Sequence, residues 1–213
     1  MDDLLNRLAT VQGRRDEVPN QELAREIVES EDTTAIEKLV EWLNHKTKGI
    51  TQDCIKVLYE IGAEKPKLIA PHLRAFVELL SHKNNRLLWG GMTALDYITL
   101  ETPAKMAAHI PEIIAGMGRD SVIAKDHGVV ILAKLSSLPD YGEKAFPFLM
   151  DALWKCPSKQ LPMYAEKSLI AVNESRKSEF LHLLNQRMGD LEKDSQRKRV
   201  EKVIRKINLF GSF

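Results

Sequence analysis

Apolar residues recur in this chain with two periods at once. Within short segments they fall at i, i+3, i+4 and i+7, the spacing that gathers them on one face of an α-helix. Over longer distances whole segments return every 37 residues. Leu58, Leu95, Leu132 and Leu169 stand at that interval, with Ile61, Ile98, Leu135 and Val172 three positions later. Four positions before the leucines come Cys54, Gly91, Gly128 and Ala165, all small. Offsets of three and four share a helix face, so these columns describe one helix, B, that returns four times. A glycine inside a helix costs about 1 kcal/mol relative to alanine. Two in the same column point to a neighbouring backbone that comes close there.

A second helix, A, precedes each B helix. Its buried stripe reads Ile36, Leu73, Ile110, then Leu39, Phe76, Ile113, then Leu43, Leu80, Met117, each set again 37 apart. The pattern predicts A helices near 33–46, 70–83, 106–118, 143–156 and 178–190. It predicts B helices near 50–63, 86–100, 122–137, 160–174 and 195–208. Pro66, Pro103 and Pro139 punctuate the links, and Pro71, Pro111 and Pro147 fall near the starts of the A helices, where a missing N–H costs least. One helix pair cannot bury its apolar stripe alone, but stacked pairs do so for each other. The predicted fold is therefore all-α. It is a right-handed α–α superhelix, or solenoid, of about five antiparallel helix pairs. Residues 1–213 read as a single domain, with an N-terminal helical cap at 1–30, repeats over 31–208 and a tail at 209–213.

The paired-helix period, the prolines at the A-helix starts and the small-residue and leucine columns of the B helix resemble HEAT repeats. The resemblance covers about residues 31–208. The period lies between the usual tetratricopeptide and HEAT values, and the tetratricopeptide Trp, Leu-Gly and Tyr signature is absent from the A helices. A HEAT or armadillo-like array is the expected class. Such arrays present a long surface for a protein or peptide, and their B helices line the concave side.

Composition narrows the chemistry. The chain has 213 residues, 44% of them apolar, and a net charge of +1. No run reaches the 18 apolar residues of a membrane span, and MDDLLNRLAT lacks the basic start of a secretory signal. Cys54 and Cys156 lie far apart in sequence and match no metal motif, so reduced thiols in the cytoplasm are expected. No phosphate-binding glycine loop, nucleophile elbow or His-x-x-x-His pair occurs. The expectation is therefore no catalytic residue, no cofactor and no metal.

Charge is uneven along the chain. Residues 1–32 balance to −5 and residues 175–213 to +5. On the B helices the columns predicted to be exposed include Tyr59, Trp89, Asp96, Tyr97, Asp126, His127 and Tyr164. They form a mixed aromatic and charged strip, with Trp89 its natural anchor because tryptophan and tyrosine favour interface centres. Asp126 and His127, adjacent on a helix, point about 100° apart and form no dyad with each other; Tyr164 or Lys167 of the next repeat is the expected partner of His127. In the last helix Lys198, Lys202 and Arg205 share a side with Arg199 beside them, a basic face able to meet phosphates.

The favoured reading is a non-catalytic scaffold that binds a protein or peptide on its B-helix surface. The alternative is a nucleic-acid-binding protein similar to the HEAT-like DNA glycosylases. Against that alternative, no arginine occurs in residues 120–175, and no catalytic residue is carried over from those enzymes.

Overall fold

The computed structural model describes residues 3–209, and among them all regular secondary structure is helical. The chain forms two compact units, Met1–His127 and Gly128–Phe213.

The first unit begins with a short α1 (Asp3–Asn6) and α2 (Val18–Ser30). Next come α3 (Thr33–Glu41), continued by a 3-10 turn to Asn44, and α4 (Lys48–Glu64). The following repeat comprises α5 (Pro66–Ile69), α6 (Leu73–Leu79) and α7 (Asn85–Ile98). The one after it comprises α8 (Pro103–Ala108), α9 (Ile110–Met117) and α10 (Val122–Ser136), whose last turns belong to the second unit. That unit goes on through α11 (Pro139–Lys155), α12 (Leu161–Ser168), α13 (Glu174–Arg187) and α14 (Asp194–Leu209). In the first unit α2 packs on α4, α4 on α7, and α6 and α9 on α7; in the second α11 meets α12 and α13, and α14 covers α12 and α13.

Local chemistry sets the helix starts. The side chains of Asp32, Asn84 and Asn173 accept the backbone N–H of Ala35 (2.9 Å), Arg86 (3.0 Å) and Arg176 (3.1 Å), each satisfying an orphan donor of the first turn. Pro66, Pro103 and Pro139 occupy first helical positions, where their fixed φ suits the helix and the absent N–H is not missed.

Those three prolines expected as links start helices of their own. α5 and α8 are extra short helices, so each of these repeats has three helices rather than two. In α11 the short helix and the A helix fuse. It starts at Pro139 rather than near residue 143, and it carries Pro147 in its interior.

The predicted leucine column is the centre of the core for three of its four members. Leu58, Leu95 and Leu132 are fully buried, as are Ile61, Ile98 and Leu135. The fourth repeat departs from the pattern. Helix α12 ends at Ser168, not near 174, and Leu169–Ala171 is a 3-10 turn. A 3-10 turn holds three residues rather than 3.6, which rotates the stripe. Leu169 and Val172 are only half-buried, Ile170 is 56% exposed, and Ala171 is buried instead.

The small-residue column answers to sterics. A Cβ added at Gly91 would lie 2.9 Å from the carbonyl oxygen of Phe76 and 2.9 Å from Leu79 Cβ, so the backbone of α6 sets the residue in α7. The neighbouring Gly90 faces Ile55 of α4, where a Cβ would meet Ile55 Cγ1 at 2.7 Å. Gly90 thus sits in helix-to-helix contact rather than in solvent.

The N-terminal cap is fastened by buried polar groups. Asn20 accepts the Ala9 N–H (3.1 Å) and donates to Asp53 Oδ1 (2.9 Å), while Asp53 Oδ2 accepts the Thr10 N–H (2.7 Å). Asp53 is therefore a buried docking group for the cap.

Candidate functional site

The face formed by α4, α7 and the first turns of α10 carries the aromatic and charged side chains of the first unit. Trp89 is half-buried and its ring lies 5.8 Å from that of Tyr59 at a tilt of 49°, linking consecutive B helices. Its indole N–H has no hydrogen-bond partner among the described residues. Tyr59 itself is 9% exposed, and burial raises its phenol above the usual tyrosine range despite the opposing Lys56 ammonium.

Lys56 ties this pair to charge. Its ammonium lies 4.9 Å from the centre of the Tyr59 ring, 2.9 Å from Glu17 Oε2, and in contact with Glu60. The side chain is only 8% exposed. Burial alone would depress such a lysine. The carboxylates of Glu60 and Glu17, with Tyr59, outweigh burial and hold it above the ordinary value, so the ammonium is charged throughout the physiological range. Glu17 also pairs with Arg86 at the start of α7. One carboxylate from the residue before α2 thus binds cations on two B helices.

The second half of the face centres on Asp96, which is 6% exposed. Its Oδ2 lies 2.7 Å from His127 Nδ1, and Tyr97 meets the His127 ring edge-on with centroids 6.5 Å apart. Burial, followed by the charges of Asp96 and Glu60, raises the Tyr97 phenol. The partner of His127 thus lies in the preceding helix. Asp126, next to it, is half-buried.

Tyr59, Trp89, Asp96, Tyr97 and His127 therefore lie together, but Tyr59 and Asp96, expected on the surface, are buried by packing between consecutive B helices. Tyr164 differs: it is 3% exposed in α12 of the second unit, a core residue of that unit rather than a surface aromatic. Glu17 and Arg86 were missed. They are 69 positions apart, and nothing in the GRRDEVPN link or in a lone arginine signals that they meet.

On the predicted basic face of α14, Arg199 donates two hydrogen bonds to Glu166, at 2.8 and 2.6 Å, and Arg205 lies 3.8 Å from Glu201. Lys198 and Lys202 are exposed. Two arginines of the second unit are buried instead. Arg187 donates to the carbonyls of Leu153 (2.7 Å), Trp154 (2.6 Å) and Cys156 (2.9 Å) at the end of α11, and to Asp190 (2.6 Å). Arg176 binds the Ser136 carbonyl and Glu143 (3.0 Å), over the face of Phe146. A Cβ at Gly142 would strike the Arg176 guanidinium, which explains the glycine.

Among the described residues no group of three or more His, Cys, Asp or Glu could hold a metal ion, and no helix is long and apolar enough to cross a membrane. Burial raises the thiols of both Cys54 and Cys156, which makes them poor nucleophiles.

No protein-family model and no curated protein matches the chain. Its fold is nonetheless that of solved helical-repeat proteins. A computationally designed armadillo repeat protein for modular peptide recognition superposes with a TM-score of 0.64 at 14% identity, over 95% of this chain and 97% of that one. An engineered protein solved by a structural genomics consortium gives 0.62 at 21% identity, covering 97% and 99%. A designed armadillo repeat protein in complex with the peptide (KR)4 gives 0.59 at 14% identity, covering 96% and 98%. The fold is thus an all-α, armadillo/HEAT-like helical repeat.

Proposed function

We propose that the chain is a non-catalytic repeat scaffold whose B-helix face, from α4 to the start of α10, binds an extended peptide segment of a partner protein in the cytoplasm. The observation that carries this reading is Trp89: a half-buried indole with an unused N–H, tilted against Tyr59 and bordered by charged pairs. Buried aromatics inside a polar rim concentrate binding energy. The rim is made of Glu17, Glu60 and Asp96 together with the Lys56, Arg86 and His127 side chains they pair with, a polar border that orients a bound segment. The peptide complex of a protein of similar fold supports the choice of ligand.

The peptide (KR)4 is the direct probe. Calorimetry should give saturable binding that W89A weakens about tenfold or more, the effect of losing one interface anchor, with the circular dichroism spectrum unchanged. Equal binding by W89A, Y97A and wild type would remove the aromatic face from the mechanism.

A further inference from the structure

A His–Lys step recurs at the repeat interval on the turns between A and B helices. His45–Lys46 precedes α4, and His82–Lys83 precedes α7, 37 residues later. The two histidines are held alike. Nδ1 of His45 accepts the Thr47 N–H at 3.0 Å, and Nδ1 of His82 accepts the Asn84 N–H at 3.0 Å. In each neutral ring the proton therefore sits on Nε2, where it can donate.

Both steps line one open cleft of about 510 Å³, together with Lys48. No aspartate or glutamate lines it. Lys46, Lys48 and Lys83 are exposed, and none has an ion-pair partner among the described residues. Elsewhere in this unit Arg7, Lys56, Lys65 and Arg86 each face a carboxylate. The cluster is local, because residues 1–127 carry 16 Lys or Arg against 20 Asp or Glu. A cleft lined by one sign of charge focuses its field on a ligand of the opposite sign.

The length of the array selects the class of anion. At the third repeat position Arg119 is followed by Asp120, and its guanidinium already donates to the carbonyls of Ser81 (3.4 Å) and His82 (3.3 Å). The free cations thus span two repeats. Packed helices lie about 8–10 Å apart, and an extended peptide rises about 3.3 Å per residue. Acidic side chains three residues apart would reach both steps, whereas a nucleic-acid backbone would run on over an acidic unit. We infer that this cleft docks a short acidic peptide segment with carboxylates at every third residue. It is a second surface, independent of the Trp89 face.

The test uses a fluorescein-labelled peptide with glutamate at every third position and serine elsewhere, read by anisotropy at low salt. A labelled single-stranded DNA serves as competitor class. The expected result is saturable peptide binding, weakened about tenfold by K46E/K83E, a change worth about 1.4 kcal/mol. W89A and K198E/K202E should bind as wild type does. Independently of any variant, peptide should shift the backbone amide resonances of residues 46–51 and 83–87. Absence of peptide binding, unchanged binding by K46E/K83E, amide shifts elsewhere, or tighter binding of DNA at the same amides would each overturn the inference.

Discussion

Asp96 of α7 and His127 of α10 meet across one repeat step, with 2.7 Å between Oδ2 and Nδ1. The bond joins consecutive B helices beside the Tyr97 ring. It also explains why a histidine next to an aspartate in sequence takes its partner 31 residues away: neighbours on a helix diverge, while residues on the facing sides of two stacked helices can meet. A double-mutant cycle on D96A and H127A should give a coupling of about 1 kcal/mol, within the range for residues in one hydrogen-bond pair. Urea denaturation of the four proteins measures it, and additive losses would mean that the bond does not form in solution.

Gly91 and Gly189 make opposite predictions. A methyl group at Gly91 meets backbone and Cβ atoms of α6 at 2.9 Å, so G91A should lose about 1–3 kcal/mol through overpacking, more than its gain in helix propensity. Gly189 has open space around its Cβ position and an ordinary φ, so G189A should change stability by less than about 0.5 kcal/mol. Thermal unfolding of both variants separates a steric requirement from a mere preference for glycine.

Arg187, 8% exposed, closes α11 by donating to three of its last carbonyls. R187M preserves the aliphatic stem and removes every donor. It should cost about 2–4 kcal/mol, because the buried carbonyls lose their partners. Hydrogen exchange should report faster opening of α11 and α13, with protection in α4 and α7 retained. R187K should recover only part of the loss, since a single ammonium cannot reproduce the planar fork.

Glu166 and Arg199 supply the pH dependence. The Arg199 guanidinium, first by hydrogen bonding and then by charge, outweighs desolvation and holds the Glu166 carboxyl below its usual 4.5. A carboxyl depressed in the folded state stabilises the fold fully above its unfolded value, and this contribution is lost as the pH falls through the folded value. Both side chains are more than a third exposed, so screening reduces the effect to about 0.5 kcal/mol. E166Q should therefore be slightly less stable than wild type at pH 7, and the difference should shrink as the pH drops below 4.5. Urea midpoints measured across that range, at low and high salt, check both the sign and the screening.

Repeat period, helix faces and three of the four core leucines were legible in the chain because they are consequences of spacing. A residue at i and others at i+3 and i+4 must share a helix face, and a segment that returns every 37 positions must find an equivalent neighbour. The same logic grouped Trp89, Tyr59, Asp96, Tyr97 and His127, although it expected Tyr59 and Asp96 in solvent and packing buries both. It misplaced Tyr164 because the fourth repeat leaves the register, where α12 gives way to a 3-10 turn at Leu169.

Other features depended on distances that no spacing encodes. The meeting of Glu17 with Lys56 and Arg86, the burial of Asp53 beneath the cap, and the pairing of Arg199 with Glu166 join residues from 33 to 69 positions apart. Hydrophobic periodicity determined which face of each helix turns inward. Packing decided which polar side chains came within hydrogen-bonding reach, since that rests on crossing angles and helix ends set by the whole fold and not by any one segment.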